Sequence, residues 1–406
     1  MIVFRYAWRN LWRNRRRTLV TVTAVSLTAA VLIVTYSLMD GIWRHTLSNA
    51  TNLVLGEVQI HRAKYLVDRS LYKDLSDPEG IMSRLKGQGV PAAARSYGYG
   101  LAASGTKSAG ALFWGVDPGR EKAAFDLARH VAEGAFIPDT PQKGVVLGKK
   151  LARSLDARVG SEIVVVVQAA DGSLGNDLYT VTGILEAAGE GIDRTAAILH
   201  QADFDELFVS GGRVHEIALN TRGTVPLPEL AARAAAAAPG NEVKTWRDLA
   251  PSLSDILNML DGAIAVFGLV FFLAGGLGVM NTMLMSTFER IREFGLQKAL
   301  GAAPWRIVRD VTAEALVLAL VSNAAGVVLG LAGAYYFQEV GLDTTAFISG
   351  DVSFAGVAFD PVWLADLSLR SVLIPVVVMY VVCFLASLSP AVLAARLDPV
   401  KAMTRV

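Results

Sequence analysis

A membrane protein with four transmembrane α-helices and one large α+β extracytoplasmic domain between the first and second spans is the fold class this sequence predicts. Three observations point there. The 406-residue chain is 53% hydrophobic yet 18% charged, with a mean hydropathy of +0.42. That is too apolar for an ordinary soluble protein and too charged for one made only of spans. Four apolar runs are each long enough to cross a bilayer, which takes about 20 residues. Between the first two lies a stretch of about 200 residues that reads as a globular domain.

Residues 1–17 read as a cytoplasmic basic N-terminus, with Arg5, Arg9, Arg13, Arg15, Arg16 and Arg17 ahead of the first span at 18–40. The apolar run exceeds the roughly 7–15 residues of a secretory h-region, and no small-residue cleavage site follows before Asp40-Gly41-Ile42-Trp43. An uncleaved anchor is expected. The extracytoplasmic α+β domain with its stalk covers 41–262. Segment 56–61 (GEVQIH) alternates as a half-buried strand does, and 111–116 and 162–168 are strand-like. Segments 147–155 and 227–238 read as helices, the second opened by Pro226 and Pro228 and ended by Pro239-Gly240. Asp171-Gly172 and Gly211-Gly212 mark turns. Two lobes are expected, with a boundary near 138–143, and a helix around 249–260 is expected to run into the second span.

The second span is placed at 263–287, the third at 311–337 and the fourth at 372–393, with a cytoplasmic segment at 288–310, a short outer loop at 338–371 and a cytoplasmic tail at 394–406. Charge sets this orientation. Arg290, Arg292, Lys298, Arg306 and Arg309 lie in the middle segment, and Arg396, Lys401 and Arg405 in the tail. The outer loop carries Glu339, Asp343, Asp351, Asp360 and Asp366, with Arg370 its only base. The positive-inside rule puts both termini and the middle segment in the cytoplasm. Trp43, Trp363, Tyr335 and Tyr336 fall where interfacial aromatics belong.

A net charge of +1 gives no nucleic-acid footprint. The single cysteine, Cys383, excludes an intrachain disulfide and reads as packing. No GxxxxGK[ST], HExxH, CxxC or GxSxG occurs, and His45, His61, His130, His200 and His215 lack metal-ligand spacing. No catalytic residue, cofactor site or metal site is expected in this chain. Within the spans, Asn281, Glu314 and Asn323 either line a polar route or hold helices together, with pairing favoured for Glu314, to Arg309 or to the middle segment. The small-xxx-small patterns at 274–278 and 326–330 imply close helix contact, within the subunit or across a dimer. Pro375 is expected to kink the fourth span and Pro390 to end or bend it.

The middle segment is the most specific part. Taken as one helix over 288–300 (FERIREFGLQKAL), Phe288, Ile291, Phe294 and Ala299 gather on one side. Glu289, Arg290, Glu293 and Gln297 gather on the other, and Glu289 can pair with Arg292 at i, i+3. Leu296 and Leu300 fall on or beside the polar side, where a plain surface helix has no use for them. Gly301 is placed to end the helix and Pro304 to open the next. The segment is either a solvated interfacial helix or a docking helix for a soluble partner.

These residues resemble the signature of the MacB/FtsX/LolC-LolE superfamily of ABC transporter permeases, the type VII architecture. The family core E-R-x-x-E-[IF]-G-x-x-[KR]-A-[LI]-G is matched by Glu289, Arg290, Glu293, Phe294, Gly295, Lys298, Ala299, Leu300 and Gly301. The start AWRNLWRNRRRTLVTV, the stretch VVLGKKLARSLDARVG at 145–160 and the end SPAVLAARLDPVKAM are similar to further family segments in the same order. The resemblance implies a permease dimer, of two copies or of this chain and a paralogue, above two ABC ATPase subunits that bind ATP and magnesium. With so short a sequence before the first span, the ATPase is expected on a separate chain.

By this resemblance Glu289, Arg290, Arg292, Glu293, Lys298, Leu300 and Gly301 form the coupling surface for the ATPase. Closure of the ATPases would be relayed along the second span and its stalk to the outer domain. The location implied is a bacterial inner membrane with a periplasmic domain. The outer domain is larger than that of FtsX proteins, which makes a lipoprotein-releasing LolC/LolE-type permease the leading expectation. A MacB-like exporter with a periplasmic adaptor and an FtsX-like regulator of an outer hydrolase are the alternatives. For a lipoprotein, the acyl chains are expected to leave the bilayer through an apolar cleft walled by Val34, Leu38, Met259, Ala263 and Phe267.

Overall fold

The structure is a computed structural model that describes residues 2–185, 188–344, 353–354, 357–358, 362–398 and 402. Asp351, Asp360, Lys401 and Arg405, used in the charge argument, lie outside the described residues, as does part of the tail motif. The chain divides into two compact units. One comprises Met1–Arg44, Leu257–Ala346 and Pro361–Val406; the other comprises His45–Ile256 and Phe347–Asp360.

Among the described residues, four helices are long and apolar enough to cross a membrane: Arg5–Leu55, Pro251–Glu289, Pro304–Glu339 and Leu369–Ala395. The first contains a 3-10 turn at Trp12–Asn14, between an N-terminal helix Ile2–Leu11 and the long helix Arg15–Ala50. Each helix outruns its apolar window, because hydropathy reports the stretch suited to lipid whereas the backbone hydrogen bonding continues into water. Pro390 does not end the fourth helix, which runs on to Ala395 with both prolines inside it. Neighbouring groups in a bundle can satisfy the one carbonyl that proline leaves free.

Small residues set how closely the spans approach. A Cβ added to Gly326 would lie 2.7 Å from the Ala29 Cβ and 2.9 Å from the Ser26 carbonyl oxygen. One on Gly330 would lie 2.9 Å from the Ile33 Cβ. The 326–330 pattern therefore seats the first span on the third within this chain. Gly276 meets Val382 of the fourth span at 2.7 Å, whereas Gly278 has nothing within 4 Å. Val25, Leu32, Phe272, Met283, Val311, Leu318, Met379 and the packing thiol of Cys383 form the shared core.

The inserted unit is built on ten strands: β1 (Val58–His61), β2 (Ala92–Ser104), β3 (Lys107–Val116), β4 (Val131–Gly134), β5 (Gly144–Leu147), β6 (Glu162–Gln168), β7 (Leu174–Leu185), β8 (Ala196–His200), β9 (Glu216–Leu219) and β10 (Glu242–Thr245). The hydrogen bonding of six of them closes into a ring, β2-β3-β8-β5-β7-β6 and back to β2. Each ring strand sends side chains into one core: Ala102, Phe113, Val145, Val165, Tyr179 and Leu199. Helices Lys149–Leu155 and Gln201–Phe208 add Leu151, Leu155, Phe204 and Phe208 to that core.

The other half of β2 carries β9, then β1, then β10, all antiparallel. Helices Pro78–Gly87 and Leu227–Ala237 contribute Ile81, Leu85, Leu230 and Ala234 to a second core with Val58, Ile60, Ile217 and Leu219. There are thus two lobes, but not divided near 138–143. That segment is a loop inside the ring, since β4 before it and β5 after it both pair with β7. The division instead puts both ends of the inserted sequence in one lobe and its middle in the other. The 147–155 helix begins only at Lys149, because Leu147 closes the buried strand β5.

A fully buried Arg95 sits where β2 passes between the lobes. Its Nη2 lies 2.6 Å from Glu121 Oε1 and its Nη1 3.1 Å from Glu216 Oε1. The Tyr97 hydroxyl donates to Glu216 at 3.0 Å, and His61 lies 3.4 Å from the same carboxylate.

Candidate coupling site

The segment between the second and third spans is not one helix over 288–300. The second-span helix stops at Glu289, and a separate helix runs Ile291–Ala299. Arg290 is the joint, with φ −110° and ψ 14°, in the sparsely allowed bridge region. The reason is its side chain. Arg290 is only 4% exposed, and its guanidinium reaches Glu314 on the third span at 2.6 Å and Glu293 at 3.0 Å while lying 5.0 Å from the Phe294 ring. A regular helix through 290 would have left that charge on the polar outer face, as the sequence pattern suggested.

Three groups from other helices complete the anchorage. Asn10 Nδ2 donates to the same Glu314 oxygen at 2.6 Å. Arg13 and Arg17 pair with Glu293 and Glu289 at 2.6 and 2.8 Å. The expected Glu289–Arg292 pair is therefore replaced by Glu289–Arg17. Glu314 pairs with the middle segment rather than with Arg309, which bonds its neighbour Asp310. The matched spacing of Arg13 and Arg17 against Glu289 and Glu293 was the sequence signal for these bonds. Burial pushes the pKa of Glu293 up, but hydrogen bonds from Arg13 and Arg290 outweigh that and hold it below the usual carboxylate value.

Lys298 is also turned inward. Its Nζ donates to the carbonyls of Ala395 and Leu397 at 2.9 and 2.6 Å, closing the C-terminus of the fourth-span helix. Phe294 is 2% exposed and joins the core of the spans with Ile307 and Ala394. Gly301 has φ +90°, which favours glycine, and its N–H bonds the Lys298 carbonyl. Ala303 then leads into the third helix, with Pro304 at its first turn.

Large apolar side chains remain outward, beside the exposed Arg292. Leu296 is 54% and Leu300 80% exposed, and Trp305 presents its ring with Arg309 stacked 5.2 Å away. Of the seven residues expected on the coupling surface, Arg290 and Lys298 hold the segment to the bundle, and Glu289 and Glu293 face the N-terminal arginines. Arg292 and Leu300 face outward, and Gly301 shapes the turn.

The five residues expected to wall a cleft are divided between two settings. Val34 and Leu38 are half-buried, and Val34 lies where a Cβ on Gly333 of the third span would come within 2.9 Å. Met259, Ala263 and Phe267 recur every fourth residue on the second-span helix and are exposed, Met259 and Phe267 by 66% and 63%.

Comparison with known proteins places both regions. Residues 18–237 match the MacB-like periplasmic core domain and residues 265–399 the FtsX-like permease C-terminal family. The uncharacterized ABC transporter permease YknZ of Bacillus subtilis is 26% identical over 60% of this chain and 53% of its own length. The pyoverdine export ATP-binding/permease protein PvdT of Pseudomonas fluorescens is 27% identical over 98% of this chain and 58% of its own. The chain thus spans little more than half the length of these relatives. The periplasmic region of MacB from Actinobacillus actinomycetemcomitans is 14% identical, with a TM-score of 0.37 over 53% of this chain and 98% of that one. With four apolar helices and an inserted domain of the periplasmic core type, the chain belongs to the MacB/FtsX superfamily of ABC transporter permeases.

Proposed function

We propose that this permease couples ATP hydrolysis by an ABC ATPase to movement of its inserted domain, with Leu296, Leu300 and Arg292 forming the docking face. In this reading ATP and magnesium belong to the ATPase. The observation that carries the reading is that Lys298 of helix Ile291–Ala299 is turned inward while Leu296, and Leu300 at the helix end, face out beside the exposed Arg292. Exposed large apolar groups on an otherwise anchored helix call for a cover. Leu296→Glu with Leu300→Glu should leave the protein inserted and abolish both capture of the ATPase and its stimulation. Unchanged capture and stimulation would overturn the docking assignment.

For the substrate, the exposed apolar face at Met259, Ala263 and Phe267 supports release of a lipid-anchored protein from the inner membrane. An acyl chain contributes about 0.8 kcal/mol for each buried methylene, so no charged site is needed. The same face suits a second permease, either a copy of this chain or a paralogue. The name of PvdT favours a second reading, export of a small molecule with a periplasmic adaptor. A photo-crosslinker at Phe267 should capture a lipidated protein without ATP and lose it when ATP is added. Capture of bulk phospholipid alone, with transport of a soluble compound by the same complex, would select export.

A further inference from the structure

The arginines ahead of the first span fall into two sets. Arg13 and Arg17 are spoken for by Glu293 and Glu289. Arg5, Arg9, Arg15 and Arg16 are exposed, and no described carboxylate lies within 4.0 Å of any of them. Four unpaired cations so close in sequence repel one another, and bound anions would relieve that repulsion.

The helix that carries them has two faces. Ala7 is buried with Ala313 and Val317 of the third span, and Asn10 bonds Glu314. Arg5, Trp8, Arg9 and Trp12 recur at i, i+3, i+4 and i+7 and so form another stripe, where Trp8 is 47% exposed. Tyr6 beside it is 45% exposed. Just beyond Arg16 the surface turns apolar, with Leu19 and Val20 exposed by 53% and 65% at the start of the first span. Guanidinium groups and indole rings thus sit where an apolar span begins. That is the boundary at which phosphate headgroups meet acyl chains: arginine binds phosphate bidentately, and tryptophan prefers the interface.

We propose that this face binds the headgroups of anionic phospholipids. Bound lipid then steadies the helix whose Asn10 holds Glu314, and through it the Arg290 joint of the coupling segment. Each arginine near an anionic surface is worth about fivefold in binding, so removing two costs about 25-fold.

The test uses the full chain in micelles doped with phosphatidylglycerol or phosphatidylcholine, with retained lipid counted by native mass spectrometry. The wild type should retain phosphatidylglycerol over phosphatidylcholine and lose that preference as salt rises. Arg5→Gln with Arg9→Gln should weaken phosphatidylglycerol retention by about 25-fold, while Arg233→Gln in the inserted domain leaves it unchanged. A phosphatidylglycerol analogue with a photoreactive headgroup should label residues 5–16 in nanodiscs. Equal retention of the two lipids, or labelling confined to other segments, overturns the proposal. So does loss of ATPase capture in the double variant with lipid retention intact, which would assign the face to an acidic protein surface instead.

Discussion

Removing Glu314 should expose how much the Arg290 joint contributes. The two side chains are 5% and 6% exposed and 2.6 Å apart, so Glu314→Ala leaves a guanidinium inside the bundle with Glu293 as its remaining partner. Breaking one side of a buried ion pair costs about 3–5 kcal/mol. Glu293 is 44% exposed and retains part of the pairing, which puts the expectation at the lower end. Asn10 also loses its acceptor, worth about 1 kcal/mol. The total is about 4 kcal/mol. Glu314→Gln keeps an acceptor oxygen and should cost about half as much. Arg290→Met combined with Glu314→Leu removes both charges and should return to within about 1 kcal/mol of the wild type. Reversible unfolding of the full chain in mixed micelles measures these three variants, and the singles Arg290→Met and Glu314→Leu, against the wild type. A cost under about 1 kcal/mol for Glu314→Ala, or a double variant as unstable as the sum of the singles, would refute the idea that burial of this pair sets the joint.

Two further outcomes are expected. Gly326→Ala should destabilise the bundle by about 1–3 kcal/mol, because its Cβ meets the Ser26 backbone, whereas Gly278→Ala should change it by less than about 0.5 kcal/mol; equal effects in the same unfolding assay would contradict the packing described. The His215 ring donates from Nε2 to the Leu71 carbonyl and accepts the Tyr97 N–H at Nδ1, 2.9 Å each, and burial lowers its pKa from 6.5. A lowered folded pKa means full stability above about 6.5, lost as pH falls through the folded value. Thermal melting followed at pH 7, 6 and 5 should show that loss in the wild type and a flatter profile in His215→Gln, which keeps one donor and one acceptor.

The spans were legible because four long apolar windows admit no other reading. Strand β6 was legible too, yet its direction of burial was not. In EIVVVVQ, valine occupies both faces, so the exposed Val164 reads like the buried Val165. The closure of the ring was invisible, since it depends on β6 reaching back to β2 across sixty intervening residues. At the coupling segment the periodicity put Phe288, Ile291, Phe294 and Ala299 on one apolar side, of which only Phe294 is buried while Phe288 is 50% exposed, and it misplaced Arg290. Amphipathic reasoning assigns a charge to water, and only the partner at Glu314, twenty-four residues on, reverses that choice. Lys298 was missed for a similar reason, since its acceptors are backbone carbonyls that carry no side-chain signal.

The antiparallel pairing of β1 with β10 has a mechanical consequence. The chain enters the inserted domain just before Val58 and leaves it just after Thr245, and those two residues face each other across one ladder. Entry and exit lie at the same end of the ladder, so a force that separates the two connecting helices meets the Val58–Thr245 pair first and peels the four residue pairs in turn, across strands about 5 Å apart. The six-stranded ring lies to one side of that load path. Its loops and outer face are free to change from one family member to the next without altering how tension crosses the domain.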